Sequence, residues 1–287
     1  MAQSASLIST EDLARQLGAP ALRVFDCTIY QKPGPDGLYV ATSGRADYDK
    51  GHIPGAAYID LIADLSDRSS RFRFTLPVLD ELTKTFAAKG IGHGTQVVLY
   101  TKGLPSFATR VWWMLRAIGF DDVAILDGAF DKWTAEKRPV ATEATVFPPA
   151  TLSLRARPGV FVGKDEMKAA IGQPGTLSLN ALSAEQHAGT GGMVYGRTGR
   201  ITGSSCVPAT SLLNTDKTLK SIADLRAAFD GVGATHDKRI LCYCGGGIAA
   251  TVDAFVLTAV LGHRNVGVYD NSLQEWANDP GLPMETD

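Results

Sequence analysis

The same order of sequence elements occurs twice in this chain, about 150 residues apart. An apolar run at 96–100 precedes a loop, a helix-forming stretch at 108–118 and another apolar run at 123–127. In the second half, an apolar run at 239–244 and a helix-forming stretch at 249–261 follow in the same order. Strand patterns that alternate with helix patterns are typical of parallel sheets covered by helices. The repeat therefore predicts an α/β protein with two equivalent domains, each a parallel sheet flanked by helices.

The predicted boundary between the domains is a proline-rich stretch at 138–161, which has little helical periodicity. Its prolines are Pro139, Pro148, Pro149 and Pro158. Such a stretch favours a stiff, extended linker. We therefore predict a first domain at 1–140, a linker at 141–160 and a second domain at 161–287, which agrees with ordinary domain sizes of about 100–150 residues.

Composition and charge argue against several classes of protein. A net charge of −2 gives no basic surface for nucleic acid. The N-terminal residues lack a basic and apolar leader, and no apolar run reaches the roughly 20 residues of a membrane span. The four cysteines are too scattered for a disulfide framework, and the five histidines are too dispersed for a metal site. We therefore expect a cytoplasmic protein without metal or cofactor, for which a monomer suffices.

Cys244 stands at the end of a predicted strand and is followed by a glycine-rich loop and a helix. The loop consists of Gly245, Gly246, Gly247, Ile248 and Ala249. At this edge of a sheet, backbone N–H groups converge and, with the helix dipole, stabilise a thiolate or a bound anion. We therefore predict that Cys244 is a reactive nucleophile. The alternative, a small buried hydrophobic residue at the end of a strand, is the one we favour for Cys242.

Several motifs of the chain occur together in one known family. They are the segments 51–56, 110–117, 127–133, 244–249 and 269–276. With these motifs, nearly the whole chain resembles the tandem rhodanese family of thiosulfate and 3-mercaptopyruvate sulfurtransferases. The resemblance implies two rhodanese-like domains and a sulfurtransferase in which Cys244 takes sulfane sulfur from a small-molecule donor as a persulfide. The acceptor would be a thiol, cyanide or a thioredoxin-like protein.

The segment 100–106, which corresponds to the Cys244 loop in the first half, contains no cysteine. The resemblance therefore implies that the first domain is non-catalytic. We expect the first domain to form one wall of a cleft between the two halves, because such clefts are common places for small-molecule sites.

The chain departs from the family at positions that distinguish sulfur donors. These positions carry Phe74, Leu182, Gln186, Gly246 and Ala249, in place of the family's histidine, two arginines and hydroxyl residues. After the cysteine, thiosulfate-type members resemble each other in having basic residues, and mercaptopyruvate-type members have glycine and then serine. This loop has Gly245 and Gly246 instead. The donor is therefore left open among thiosulfate, 3-mercaptopyruvate and another organic thio donor.

Charged residues near the expected cleft are candidates for binding the substrate. Asp60 matches an acid near the cleft in the family, and Arg71 and Arg73 lie in the first-domain segment that the family places there. In the first half, residues 51–53 read Gly-His-Ile, and a degraded copy of this motif stands at 199–201 in the second half. Arg197 lies just before this copy, and Arg200 lies within it. The alternative for each arginine is an ordinary solvated charge on the surface.

Two other functions compete with sulfur transfer. The replaced arginines and hydroxyls are compatible with a catalytically degenerate sulfur carrier or binding module. The rhodanese scaffold also hosts cysteine phosphatases that use a Cys-x5-Arg loop, but Ala250 occupies the arginine position here. We therefore predict a sulfurtransferase, with the sulfur carrier as the main alternative.

Overall fold

A computed structural model describes residues 6–34 and 39–287 of the chain. In the first half the strands are β1 (Leu7–Ile8), β2 (Leu22–Asp26), β3 (Ile29–Pro33), β4 (Tyr39–Ser43), β5 (Ala56–Tyr58), β6 (Gln96–Tyr100) and β7 (Val123–Leu126). The helices of this half are α1 (Thr10–Gln16), α2 (Arg45–Lys50), α3 (Leu79–Ala88), α4 (Ser106–Ala117) and α5 (Ala129–Ala135). Five strands form a parallel sheet in the order β1-β7-β6-β2-β5, and β3 and β4 form a separate antiparallel hairpin.

The second half contains a second five-stranded parallel sheet. The strands of this half are β8 (Phe161–Val162), β9 (Thr176–Asn180), β10 (Arg200–Ile201), β11 (Ser205–Cys206), β12 (Arg239–Tyr243), β13 (Val266–Tyr269) and β14 (Met284–Glu285). Its α-helices are α6 (Lys164–Ala170), α7 (Ala184–Ala188), α8 (Ile222–Asp230), α9 (Ala250–Phe255) and α10 (Ser272–Trp276). A 3-10 turn covers Ala209–Leu212, and α9 continues into a π-helical turn at Val256–Val260. The sheet has the order β11-β9-β12-β13-β8, and β10 pairs with β14 outside it.

The two sheets have the same topology. Read from β8, the second sheet runs β8-β13-β12-β9-β11, which matches β1-β7-β6-β2-β5 strand for strand. The central strands β6 and β12 are buried on both faces from their second residue onward, as expected for parallel strands covered by helices. The predicted α/β fold with two tandem, equivalent sheets is confirmed.

Helix α4 is the main element at the contact between the domains. All of its residues except Ser106 and Arg116 are buried, which is typical of a helix that is covered on every side. Trp112 packs edge-on against Phe255 of α9 with ring centroids 5.0 Å apart. The hydroxyls of Thr109 and Thr251 are 2.8 Å apart. Although α4 is apolar, neither it nor any other helix in the described ranges is long and apolar enough to cross a membrane.

The predicted linker follows the surface of the first domain in an extended conformation. The N–H of Ala150 donates to the carbonyl of Ala87, and the N–H of Arg155 donates to the carbonyl of Ile118, both at 2.8–2.9 Å. These bonds satisfy backbone groups of a segment that has almost no regular secondary structure of its own. The boundaries at residues 140 and 161 stay a prediction.

The side chain of Arg110 in α4 is fully buried and connects the two domains. Its guanidinium donates to the carboxylate of Asp270 at 2.5 Å, to the carbonyl of Phe74 at 2.6 Å and to the carbonyl of Gly247 at 3.2 Å. The other oxygen of Asp270 accepts from the N–H of Leu76 at 2.8 Å. One ion pair therefore fixes a first-domain loop against the loop that follows Cys244.

We expect Arg110→Met to lower the free energy of unfolding by about 3–5 kcal/mol, because it leaves Asp270 charged and without its cation at the interface. Adding Asp270→Asn should recover part of this loss. Arg45→Met is the matched control, since Arg45 forms an exposed pair with Asp49 that contributes about 1 kcal/mol or less. Urea unfolding measures all four proteins. Equal losses for Arg110→Met and Arg45→Met would contradict the interpretation.

Asp253 lies in α9 with no exposed surface. Neither carboxylate oxygen has a hydrogen-bond partner among the residues that the structure describes. Burial therefore raises the pKa of Asp253 well above its ordinary value. The folded protein retains this proton at pH values where the unfolded chain has already lost it.

The stability of the wild type should therefore fall, relative to Asp253→Asn, as the pH rises above about 4. The folded pKa is the higher one, so folding takes up a proton in this window, and the difference should grow by up to about 1.4 kcal/mol per pH unit. Urea unfolding at several pH values between about 4 and 7 measures the difference. Asp80→Asn, at an exposed position of α3, is the control for the loss of one carboxylate elsewhere in the protein. A difference independent of pH would contradict the buried, protonated state.

Candidate active site

Cys244 lies at the carboxyl end of β12, the central strand of the second sheet. Its N–H donates to the hydroxyl of Ser272 at 3.1 Å, and its carbonyl accepts from the N–H of Leu273 at 3.0 Å. The N–H of Gln274 donates to the carbonyl of Gly245 at 2.8 Å. Helix α10 therefore holds the start of the loop, so that the chain turns out of the sheet in one defined conformation.

The N–H groups of residues 245–248 have no acceptor within the described part of the chain. Consecutive free N–H groups in a turn form a site for negative charge. In the corresponding first-domain loop, the N–H of Lys102 donates to the hydroxyl of Thr28 at 2.9 Å, and the N–H of Gly103 donates to the carboxylate of Asp131 at 2.6 Å. The second-domain loop thus keeps these donors available, whereas the first-domain loop uses those of Lys102 and Gly103 internally.

The three glycines of the Cys244 loop differ in how strictly they are required. Gly247 has a φ of +72°, and a β-carbon there would lie 2.1 Å from the carbonyl oxygen of Asp270. At Gly245 a β-carbon would lie 1.9 Å from the ring of Tyr195. At Gly246 it would stay at ordinary contact distance, 3.4 Å from the Gln274 amide. Gly245 and Gly247 therefore lack space for a side chain, while Gly246 has it.

The side chain of Cys244 is 2% exposed and lines a small cavity of about 50 Å³. The cavity is lined by Gln31, Tyr39, Arg73, Phe74, Leu182, Tyr195, Cys244, Gly245, Gly246, Ile248, Ala249 and Gln274. Residues of both domains contribute to this wall, so the first domain forms one side of a cleft, as the sequence predicts.

A second cavity of about 960 Å³ adjoins the small one. The two cavities share Tyr39, Arg73, Phe74, Tyr195 and Gln274. The amide of Gln274 is bonded on both sides to the backbone of Arg73, since its Oε1 accepts at 3.2 Å and its Nε2 donates at 2.9 Å. These shared residues lie between the large cavity and the small cavity of Cys244.

The structure places the sequence-predicted substrate residues in two groups. Arg71 and Arg73 line the large cavity. Asp60 instead accepts from backbone N–H groups at the start of its own turn, at 2.8 and 3.1 Å. Arg197 donates to three carbonyls of residues 276–279, and Arg200 pairs with two carboxylates near the C-terminus. Asp60, Arg197 and Arg200 are therefore not brought to the cavity of Cys244.

Phe74 stands where the family has a histidine, and its ring lines the small cavity. Its φ is +61°, a strained conformation for a residue with a side chain. The hydrogen bond from Arg110 to its carbonyl holds this conformation. Phe74 therefore adds an apolar wall beside Cys244 and supplies no side-chain proton donor or acceptor.

Three residues that line the small cavity were not named as site candidates from the sequence: Gln31, Tyr39 and Gln274. The only available signal was that Gln274 lies inside one of the repeated motifs. Burial and the neighbouring Cys244 raise the pKa of Tyr195, so its phenol stays protonated at neutral pH. A neutral hydroxyl therefore lies against the start of the loop.

The other three cysteines lie in environments that disfavour a thiolate. Burial raises the pKa of Cys27 and of Cys242, and it raises the pKa of Cys206 to about 11. None of the three lines either cavity beside Cys244 within the described residues. Within the same ranges, no group of three or more histidine, cysteine or acidic side chains is arranged to hold a metal ion.

Comparison with known proteins gives consistent results. Residues 9–136 and 164–279 match the rhodanese-like domain family. The chain is 30% identical to "Thiosulfate/3-mercaptopyruvate sulfurtransferase 2" of Arabidopsis thaliana, over 97% of this chain and 86% of that protein. It is 32% identical to "Sulfur carrier protein TtuD" of Thermus thermophilus, over 83% of this chain and 86% of that protein.

The fold also matches that of a solved structure. The crystal structure of SseA from Escherichia coli, described as a 3-mercaptopyruvate sulfotransferase with the "rhodanese" fold, matches with a TM-score of 0.81 and 27% identity. The match covers 94% of this chain and 99% of SseA. Because a rhodanese-like match falls on each of the two parallel sheets, the chain belongs to the rhodanese-like domain family, as its motifs predict.

Proposed function

We propose that this protein is a sulfurtransferase that carries sulfane sulfur from a small donor to a thiophilic acceptor as a persulfide of Cys244. The observation that carries the proposal is the position of Cys244. Of the four cysteines, it is the one that lines the small interdomain cavity among the described residues, and the four free N–H groups of 245–248 follow it. A cysteine nucleophile needs this combination of access and stabilised negative charge.

The proposed reaction consists of two successive nucleophilic displacements at sulfur. The Cys244 thiolate attacks the sulfane sulfur, the new S–S bond forms, and the remainder of the donor leaves with the electron pair of the broken bond. Thiosulfate would leave as sulfite, and 3-mercaptopyruvate would leave as the enolate of pyruvate. An acceptor thiolate then attacks the outer sulfur and returns Cys244 as a thiolate. The N–H groups of 245–248 stabilise negative charge on the bound donor and on the persulfide.

The acceptor in this proposal is a small thiol, cyanide or a thioredoxin-like protein. All four cysteines are free, which fits a reducing compartment such as the cytoplasm.

A sulfur carrier is the second candidate function. It is supported by the similarity to the protein named sulfur carrier TtuD and by the 2% exposure of Cys244, which would protect a bound persulfide from solvent. An enzyme and a carrier differ in whether the loaded sulfur turns over with a small acceptor.

We expect Cys244→Ser to abolish sulfur loading, because serine cannot form the persulfide. Intact-protein mass spectrometry after incubation with thiosulfate, 3-mercaptopyruvate or glutathione persulfide should show a gain of about 32 Da in the wild type. Cys242→Ala is the matched control and should load normally, since Cys242 is buried in β12. Removal of the added sulfur by cyanide or a thiol supports the enzyme, and stable loading supports the carrier. Loading of Cys244→Ser would refute the proposal.

We expect Gly247→Ala to slow the loading of Cys244 by about 100-fold, because a displaced loop moves the sulfur and its N–H donors out of place. The backbone of Gly247 needs both its positive φ and the absence of a β-carbon. Gly246→Ala is the matched control and should keep its loading rate, since a β-carbon fits there. Loading rates with the most active donor measure both variants. The proposed loop geometry would be wrong if the two variants behaved alike.

A further inference from the structure

The large cavity next to the small cavity of Cys244 is much larger than the sulfur donors considered so far require. Its volume is about 960 Å³, which lies in the range of about 300–1,000 Å³ that is typical of pockets for drug-sized organic ligands. Thiosulfate and 3-mercaptopyruvate each have only a few heavy atoms. The large cavity therefore has room for a substrate with a much longer body, bound next to the small cavity of Cys244.

The charged side chains that line this cavity are predominantly basic. They comprise Arg68, Arg71 and Arg73, with Asp67 as the single acid among the described lining residues. None of these three arginines forms a salt bridge with any residue in 6–34 or 39–287. The carboxylate of Asp67 accepts from the N–H and hydroxyl of Ser69 at 2.8 and 2.7 Å, so its hydrogen bonds stay within its own turn. Three guanidinium groups are thus available to an anionic ligand.

The loop that carries the three arginines is fixed in place and is not a free surface segment. The N–H of Asp67 donates to the carbonyl of Thr75 at 2.9 Å, and the hydroxyls of Ser70 and Thr75 are 2.8 Å apart. Thr75 also contacts Asn271 of the second domain at 3.1 Å. The guanidinium groups are therefore presented from a preorganised turn, which lowers the entropic cost of binding.

Aromatic side chains form part of the wall around the arginines. Arg71 stacks over the ring of Phe72 with its guanidinium carbon 4.6 Å from the ring centroid, which limits its freedom. Tyr39, Phe74 and Tyr195 continue this surface to Cys244. The large cavity therefore combines aromatic side chains with three guanidinium groups, and Arg73 also lines the small cavity of Cys244.

We propose that the large cavity binds the sulfur acceptor, and that this acceptor is a thiol with at least two anionic groups on a peptide-sized organic body. Its anionic groups contact Arg68, Arg71 and Arg73, and its thiol reaches the Cys244 persulfide past Tyr195. This inference rests on the proposed sulfur transfer. The anionic groups could be the carboxylates of a peptide thiol or the phosphates of a nucleotide thiol, which share the chemistry that guanidinium groups recognise.

Steady-state kinetics with a fixed sulfur donor and four acceptors test the inference. The acceptors are glutathione, coenzyme A, cysteine and the uncharged 2-mercaptoethanol. We expect kcat/KM to be highest for glutathione or for coenzyme A, and the better of the two identifies carboxylates or phosphates as the preferred groups. If neither exceeds 2-mercaptoethanol, the inference is wrong.

The variants Arg68→Gln and Arg71→Gln should each lower kcat/KM for the preferred anionic thiol by about tenfold. The fall in kcat/KM for 2-mercaptoethanol should be several times smaller, because that thiol has no anionic group for the guanidinium groups to contact. Arg45→Gln, outside the cavity, is the control and should change none of these values. An equal fall with every acceptor, or no fall with any, overturns the inference.

Binding of S-methylglutathione and of desulfo-coenzyme A by calorimetry separates this inference from the proposed function, because neither compound can react. We expect the wild type to bind the analogue of the preferred thiol and Arg71→Gln to bind it about tenfold more weakly. If Cys244 never loads with sulfur but the analogue binds in this way, the proposed function fails and the anion site stands. If Cys244 loads and turns over but neither analogue binds, only this inference fails.

Discussion

The buried guanidinium of Arg110 is the contact on which the geometry of the site depends. It bonds the carbonyl of Phe74 in the first domain, the carbonyl of Gly247 in the loop after Cys244 and the carboxylate of Asp270. A charge removed from water is stable only when all such partners are in place. The orientation of the domains, the strained conformation of Phe74 and the position of the loop are therefore set together. A change in any one of them would disturb the other two.

The duplicated fold supports a division of labour between the halves. The first-domain loop bonds the N–H groups of Lys102 and Gly103 to Thr28 and Asp131, so it offers fewer free donors to an anion while the topology of its sheet is the same. What the first domain gives to the second is surface. Arg73 and Phe74 come from one domain and Cys244 from the other, so the cavity exists only when the two pack together. In such a site one domain fixes the position of Cys244, and the other supplies a wall whose residues can vary separately.

The sequence predicted the fold well because the decisive patterns are local. Periodic apolar runs and glycine stops define the strands and helices, and their repetition predicted the two sheets. The arrangement of residues in the cleft was harder to predict from the sequence. Arg197 resembles a substrate residue in sequence, but its guanidinium contacts carbonyls of residues 276–279, about 80 positions away. The ring of Tyr195 against Gly245 likewise depends on tertiary packing that no local pattern reveals.

The contact between Tyr195 and Gly245 has a consequence for how donor preference could change. The ring occupies the volume that a side chain at position 245 would need, so the two positions exclude each other. A basic residue after the nucleophile, as in the thiosulfate type, could be accommodated only after Tyr195 had become small or moved. Substitution of Tyr195 first would open the cavity without placing a new charge. A change of this chain to the thiosulfate type of loop therefore needs at least two substitutions, one at Tyr195 and one at Gly245, and the substitution of Tyr195 has to come first.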